Sequence, residues 1–139
     1  MPICGSLDIA GSALTAERQR TDIIMQNIAN AKTTVTETGE PYRRKQVVLQ
    51  ERPLSFGDEL KKASGGVRIT QVVENQSDFR SVYDPTHPQA DENGYVLYPN
   101  VDTTEEMIDL MAASNAYEAN LTALSVVKAT IAKTLEMKK

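Results

Sequence analysis

From Thr103 to the last residues of the chain there is neither glycine nor proline, and this uninterrupted run constrains the fold more than any other feature. Met107, Leu110, Ser114, Tyr117, Leu121, Leu124, Lys128, Ile131 and Leu135 alternate by three and four, the spacing of one helical face. Thr103 and Glu106 have the spacing of a capping box. Glu105, Glu106 and Asp109 stand in the first turns and Lys133, Lys138 and Lys139 in the last, the order a helix dipole favours. A helix over residues 103–139 is therefore predicted, about 50 Å long at 1.5 Å per residue. Such a helix needs cover, and the chain has little to cover it with. Of its 139 residues only two are Phe and five Tyr, with no Trp, although 40% are apolar.

The partner available within the chain is the N-terminal segment. Residues 6–31 read as a second helix, with Leu7, Ala10, Leu14, Thr21, Ile24 and Ile28 on one face and a polar break at Glu17 and Arg18. Its first half is built of small residues, among them Ser6, Gly11, Ser12, Ala13 and Ala16. These let another backbone approach closely, but Gly11 costs about 1 kcal/mol of intrinsic helix stability. This helix is too short to cover the whole stripe of its partner, so the remainder is expected to meet other molecules. In a dilute monomer the same shortfall predicts poor order at both ends, residues 1 to about 35 and the last 30 or so.

Residues 32–102 differ in kind. "KTTVTETGEPYRRK" is rich in β-branched and turn residues, and Gly39 and Pro41 exclude a continued helix. Val47 with Leu49, then Val67, Ile69, Gln71 and Val73, follow the period of two expected of strands. An Asn93-Gly94 turn signal leads into a strand at Tyr95 to Tyr98. "FGDELKKAS" has the composition of one or two helical turns. The predicted fold is mainly α with a small β-rich insertion. Long N- and C-terminal helices (1–31 and 103–139) pack as an antiparallel coiled-coil pair, and a loop-rich β unit (32–102) faces outward between them.

Several function classes drop out. The net charge of −4, from 15 Lys plus Arg against 19 Asp plus Glu, offers no basic field to nucleic acid. The single cysteine, Cys4, forms no internal disulfide or multi-cysteine metal site. It has no base near it in sequence to make it a nucleophile. No apolar run is long enough to span a membrane, and the start lacks the pattern of a cleavable secretory signal. His87 with Asp84, Asp91 and Glu92 lacks the ligand spacing of a cation loop and reads as a solvated proline loop. The four residues Tyr42 to Lys45 stand alone in an acidic chain with no phosphate cradle. A contact with a neighbouring subunit's acids suits them better. No Ser, His and Asp arrangement supports catalysis. Neither an enzyme nor a cofactor is expected.

"IIMQNIANAKTT" places Asn27 and Asn30 three residues apart in the last turns of the first helix. Asn30 near a helix end, followed by Thr33, Thr34 and Val35, reads as termination. The alternative, for Asn27 and Asn30 alike, is a buried amide that bonds to a neighbouring backbone and sets register between subunits, since a misregistered partner leaves its donors unsatisfied.

These same residues carry a resemblance. "DIIMQNIANAKTT" followed by "GEPYRRK", together with "HPQADENGYVLYPNVDTTEEMIDLMAASNAYEAN", closely resembles the bacterial flagellar basal-body rod proteins, and within them the proximal-rod type. The likeness spans nearly the whole chain and is weakest across residues 46–80. It implies a structural subunit that polymerises through its terminal helices into a tubular drive shaft around an export channel. Its partners would be copies of itself and other rod proteins. It would be exported without a cleavable signal by the flagellar type III apparatus and lie in the periplasmic part of the basal body. The implied assembly residues are Leu7, Leu14, Ile24, Asn27, Ile28, Asn30, Met107, Leu110, Tyr117, Leu121, Leu124, Ile131 and Leu135. A small coiled-coil adaptor or chaperone, closing into a discrete oligomer, is the alternative.

Overall fold

The computed structural model describes residues 3–52 and 65–137; the "FGDELKKAS" stretch and the last two lysines lie outside these. Helix α1 spans Ile3–Ala29. It ends two residues earlier than the apolar pattern suggests, because the chain turns at Asn30. The Asn30 amide Nδ2 donates to Gln26 O at 2.9 Å, and its Oδ1 accepts the Thr33 hydroxyl at 3.2 Å. Asn30 thus terminates the helix, as expected. Strand β1 (Lys45–Glu51) pairs antiparallel with β2 (Val67–Glu74), from Lys45 opposite Glu74 to Glu51 opposite Val67, with a register shift between Val48 and Leu49. Strand β3 (Arg80–Tyr83), which no sequence pattern announced, pairs antiparallel with β4 (Tyr95–Tyr98), with Val82 opposite Val96. The β unit is thus two separate two-stranded ribbons.

The loop joining β3 to β4 is held by its own carboxylates. Asp91 Oδ1 accepts the amides of Asn93 and Tyr95. Gly94 sits at φ 79°, where an added Cβ would come within 2.9 Å of the Tyr83 ring, so both backbone and space demand glycine. Asp84 Oδ1 accepts the Thr86 hydroxyl and amide, and His87 Nδ1 accepts the Gln89 amide. The Thr86 hydroxyl, foremost, holds the Asp84 carboxyl below its usual range. The residues considered as a cation loop are occupied in shaping turns, and among the described residues no group of three metal-ligating side chains forms.

Helix α2 spans Thr103–Glu136. Its cap differs from the predicted box. Asp102, not Thr103, is the N-cap, and its side chain accepts the Thr104 amide at 2.8 Å. That hydrogen bond, foremost, lowers the Asp102 pKa. Glu106 gives only its backbone amide to this turn, at 3.0 Å to Asp102 O, while its side chain is turned inward. Helices α1 and α2 lie side by side and run in opposite directions: Asn27 meets Glu106, and Arg18 and Thr21 face Ser114 and Glu118.

The β1–β2 ribbon does not simply project away. It packs along α1, and its far end is fixed there. The Val67 amide donates to Ser12 Oγ at 3.1 Å, and a Cβ on Gly66 would lie 2.7 Å from the same oxygen. The small residues of α1 therefore admit two neighbours, α2 on one side and a β ribbon on the other. Ala10 and Ala16 are buried accordingly. At the opposite end of α1, Ala31, Tyr42 and Val101 form a small apolar core, with Val96 and Pro99 also buried.

Candidate functional site

Two polar side chains are among the most deeply buried of the described residues. Glu106 and Asn27 are each 1% exposed, and they meet where α1, the segment before β1, and α2 converge. The Asn27 amide is saturated. Its Nδ2 donates to Lys45 O at 2.9 Å and to Glu106 Oε2 at 3.0 Å, while its Oδ1 accepts the Tyr42 hydroxyl at 2.9 Å and the Lys45 amide at 3.0 Å. Two donors and two lone pairs are all that an amide side chain has. The bond that the sequence assigned to a neighbouring subunit is made inside this one.

Arg44 completes the cluster. Its Nε donates to Glu106 Oε1, and its Nη2 reaches Asp109 Oδ2 at 3.0 Å. Its backbone is equally engaged: the amide donates to Asn100 Oδ1 at 2.8 Å and the carbonyl accepts the Asn75 amide at 2.8 Å. Asn100 in turn donates to Asn75 O and to Ser77. One arginine thus joins β1, the β2–β3 connection and α2. The acids expected from a neighbour are Glu106 and Asp109 of the same chain. Arg43 takes a separate position, 4.3 Å over the Phe79 ring and 3.7 Å from Glu40.

Burial works against the charge on Arg44, but its hydrogen bond to Glu106 and the charges of Glu106, Asp109 and Glu105 outweigh it and raise its pKa. Burial, followed by the charges of Glu106 and Glu74, pushes the Tyr42 hydroxyl up to about 12. Both groups keep their neutral-pH forms, as a cluster needs when it must neutralise a buried carboxylate. Each oxygen of Glu106 is engaged within the cluster, Oε1 by Arg44 and Oε2 by Asn27. The chemistry of this junction is cohesion.

The remaining residues assigned to assembly fall into two sets. Ile24 is buried, and Leu7, Leu14, Ile28, Leu110, Leu124 and Ile131 are half-buried. Met107, Tyr117, Leu121 and Leu135 are exposed. The inward face of α2 is carried instead by Glu106 and Ala113, the only residues of that helix that are fully buried, with Ala116, Asn120 and Val127 half-buried along it. Exposed beside Met107, at 56%, are Ile108 and Met111 at 62% and 67%. Ile108 did not figure in the periodic pattern. Contiguous exposed apolar side chains of this size mark interaction surfaces in soluble proteins.

Comparison with known proteins bears on both ends of the chain. Residues 92–137 match the model described as flagellar basal body rod FlgEFG protein C-terminal, and residues 7–34 match that described as flagella basal body rod protein. The chain is 44% identical to flagellar basal-body rod protein FlgC of Bacillus subtilis (strain 168), over 96% of this chain and 97% of that protein. It is 43% identical to the FlgC protein of Escherichia coli O157:H7, over 99% and 98% of the two chains. Against that of Borreliella burgdorferi it is 40% identical over 92% of each.

Proposed function

The chain belongs to the flagellar basal-body rod protein family, as a structural subunit of the proximal-rod type and not an enzyme, and on that premise we propose that it enters the rod through its two terminal helices. The observation that carries this reading is the uncovered apolar surface of α2 at Met107, Ile108 and Met111. Other subunits of the rod supply the missing cover, and the helix pair, working as a coiled-coil seam shared between neighbours, builds the wall of a tube around an export channel. The assembly residues divide by role. Leu110, Leu124 and Ile131, with Leu7, Leu14, Ile24 and Ile28, hold the pair together. Met107, Tyr117, Leu121 and Leu135 meet neighbours. Asn27 and Asn30 set the shape of the subunit that is added. The β unit lies toward the outside, the rod transmits torque across the periplasm, and the flagellar type III apparatus exports the subunit.

Met111→Asp tests the surface directly. Met111 is two-thirds exposed, so an aspartate there leaves the isolated subunit within about 0.5 kcal/mol of its native stability. In the assembled rod it would place an unpaired charge in a packed seam, at a cost of several kcal/mol. The expected result is a soluble, folded protein that is missing from purified basal bodies and does not restore swimming to a strain lacking the native chain. Normal swimming with the variant incorporated would show that this face of α2 is not an interface.

A further inference from the structure

Between the first half of α1 and the β1–β2 ribbon runs an open groove of about 470 Å³. Leu7, Gly11 and Thr15 form one wall, and Val67 and Ile69 the other. Its rim carries Arg52 and Arg68, both exposed, against a single acid, Asp8. Nothing in the described chain fills it, although the Ser12–Val67 hydrogen bond holds its two walls together. The complementary surface lies on the same chain. The exposed side of α2 presents Ile108 and Met111 between Glu105 and Glu118. At ~100° per residue Ile108, Met111 and Glu118 share one flank of the helix and Glu105 lies at its edge. From Thr103 to Val127 that helix has four acids, Glu105, Glu106, Asp109 and Glu118, and no lysine or arginine.

The Ile108–Met111 stretch cannot reach the groove of its own molecule, although Glu118, further along α2, lies opposite Arg18 of α1. The antiparallel pairing sets residues 105–109 of α2 beside the Asn27 end of α1, whereas the groove lies at the Leu7–Gln19 end. We propose that the groove between α1 and the β1–β2 ribbon receives the Ile108–Met111 flank of α2 from a second copy of this chain, with Arg52 and Arg68 facing Glu105 and Glu118. The contact joins different patches on the two copies, so it is heterologous and repeats in one direction, as a filament requires. Apolar side chains seated in the groove supply the burial. The opposite charges at the rim fix orientation and exclude a reversed partner. The proposal rests on helix-mediated entry into the rod and specifies which surface of the neighbour α2 finds.

In a background with Cys4 replaced by serine, two differently tagged copies of the full chain, one bearing Gln19→Cys and the other Asn115→Cys, are expressed together in a strain lacking the native chain. Purified basal bodies are treated with a mild oxidant. The expected product is a disulfide-linked pair carrying both tags, formed from the mixed strain and not from either variant alone. Charge reversal supplies the second measurement. Arg52→Glu with Arg68→Glu lowers the cross-linked fraction at least tenfold, and adding Glu105→Arg with Glu118→Arg restores it. Swimming cells whose basal bodies contain both copies without the mixed product would overturn the contact and leave the rod reading intact. So would the Gln19→Cys copy cross-linking to a different rod protein, or failure of the four-charge swap to restore the pair. Loss of the chain itself from the basal bodies under its native sequence would remove the underlying reading.

Discussion

The two ends of the helix pair are built on different physics. At the junction end, Asn27, Tyr42, Arg44 and Glu106 form a closed hydrogen-bonded set in which the amide is saturated and the carboxylate is paired. Along the rest of α2, beyond Ala113, no described residue is fully buried, and the half-buried side chains are aliphatic apart from Asn120. A polar cluster of this kind has one arrangement, because any other leaves buried donors and acceptors unmatched. Apolar contacts tolerate sliding and exchange of partner. The junction therefore determines what the subunit is. The arms leave open which molecule completes it.

The largest expected effect comes from removing the junction's charge pair on one side only. Glu106→Ala leaves the half-buried Arg44 guanidinium with only Asp109, and Asn27 Nδ2 short of one acceptor, and costs about 3 kcal/mol, read as a lower urea midpoint. A loss under about 1 kcal/mol would mean that the cluster is incidental to the fold, and the contrast between the two regions would collapse.

Hydrogen exchange of the dilute subunit sharpens the boundary between them. Amides flanking the junction, around Asn27, Val96 and Glu106, should exchange only through global unfolding, and those of α2 beyond Ala113 through local opening with a much smaller free energy. Poor order was expected from residue 1 to about 35. The burial of Ile24, Asn27 and Ala31 and the bond between the ribbon and Ser12 predict a shorter span, which the exchange of α1 amides would reveal. Uniform protection along α2 in a monodisperse monomer would show that its outer turns need no neighbour.

A smaller effect follows from Tyr42. Its hydroxyl is raised from 10.0 to about 12 in the folded chain, so the neutral form is favoured by folding. The resulting stability is complete below pH 10 and is lost as pH rises from 10 to 12. Tyr42→Phe should flatten the alkaline decline in stability and remove an ionisation near pH 12 from the ultraviolet titration. An unchanged titration and an unchanged alkaline decline in the variant would place Tyr42 outside the sealed region.

What the sequence made legible divides along the same line. Both helices, three of the four strands and the closing role of Asn30 follow from local spacing and turn chemistry. Asn27 stood out as a buried amide, yet its partners could not be read, because Lys45 and Glu106 are brought to it only by the fold. Glu106 was assigned to a capping box three residues from Thr103, while its real partner, Arg44, lies 62 residues away. The inward face of α2 was missed for another reason. Ala113 is fully buried and Met111 is two-thirds exposed, so ranking positions by apolar size points away from the partner helix. Where helices approach closely, small residues line the contact. On α2 the large apolar side chains Met107, Ile108 and Met111 are left exposed.

The bonding of Asn27 to Lys45 has one more consequence, for the sheet. Asn27 offers one donor and one acceptor to the carbonyl and amide of a single strand residue, as an adjoining strand would. Lys45 is the first residue of β1, and its cross-strand partner is Glu74. A helix side chain thus occupies the outer margin of the ribbon where the strand begins. Open strand margins invite pairing with any extended chain nearby. With its amide and carbonyl both taken by Asn27, the root of β1 has no open margin for another extended chain.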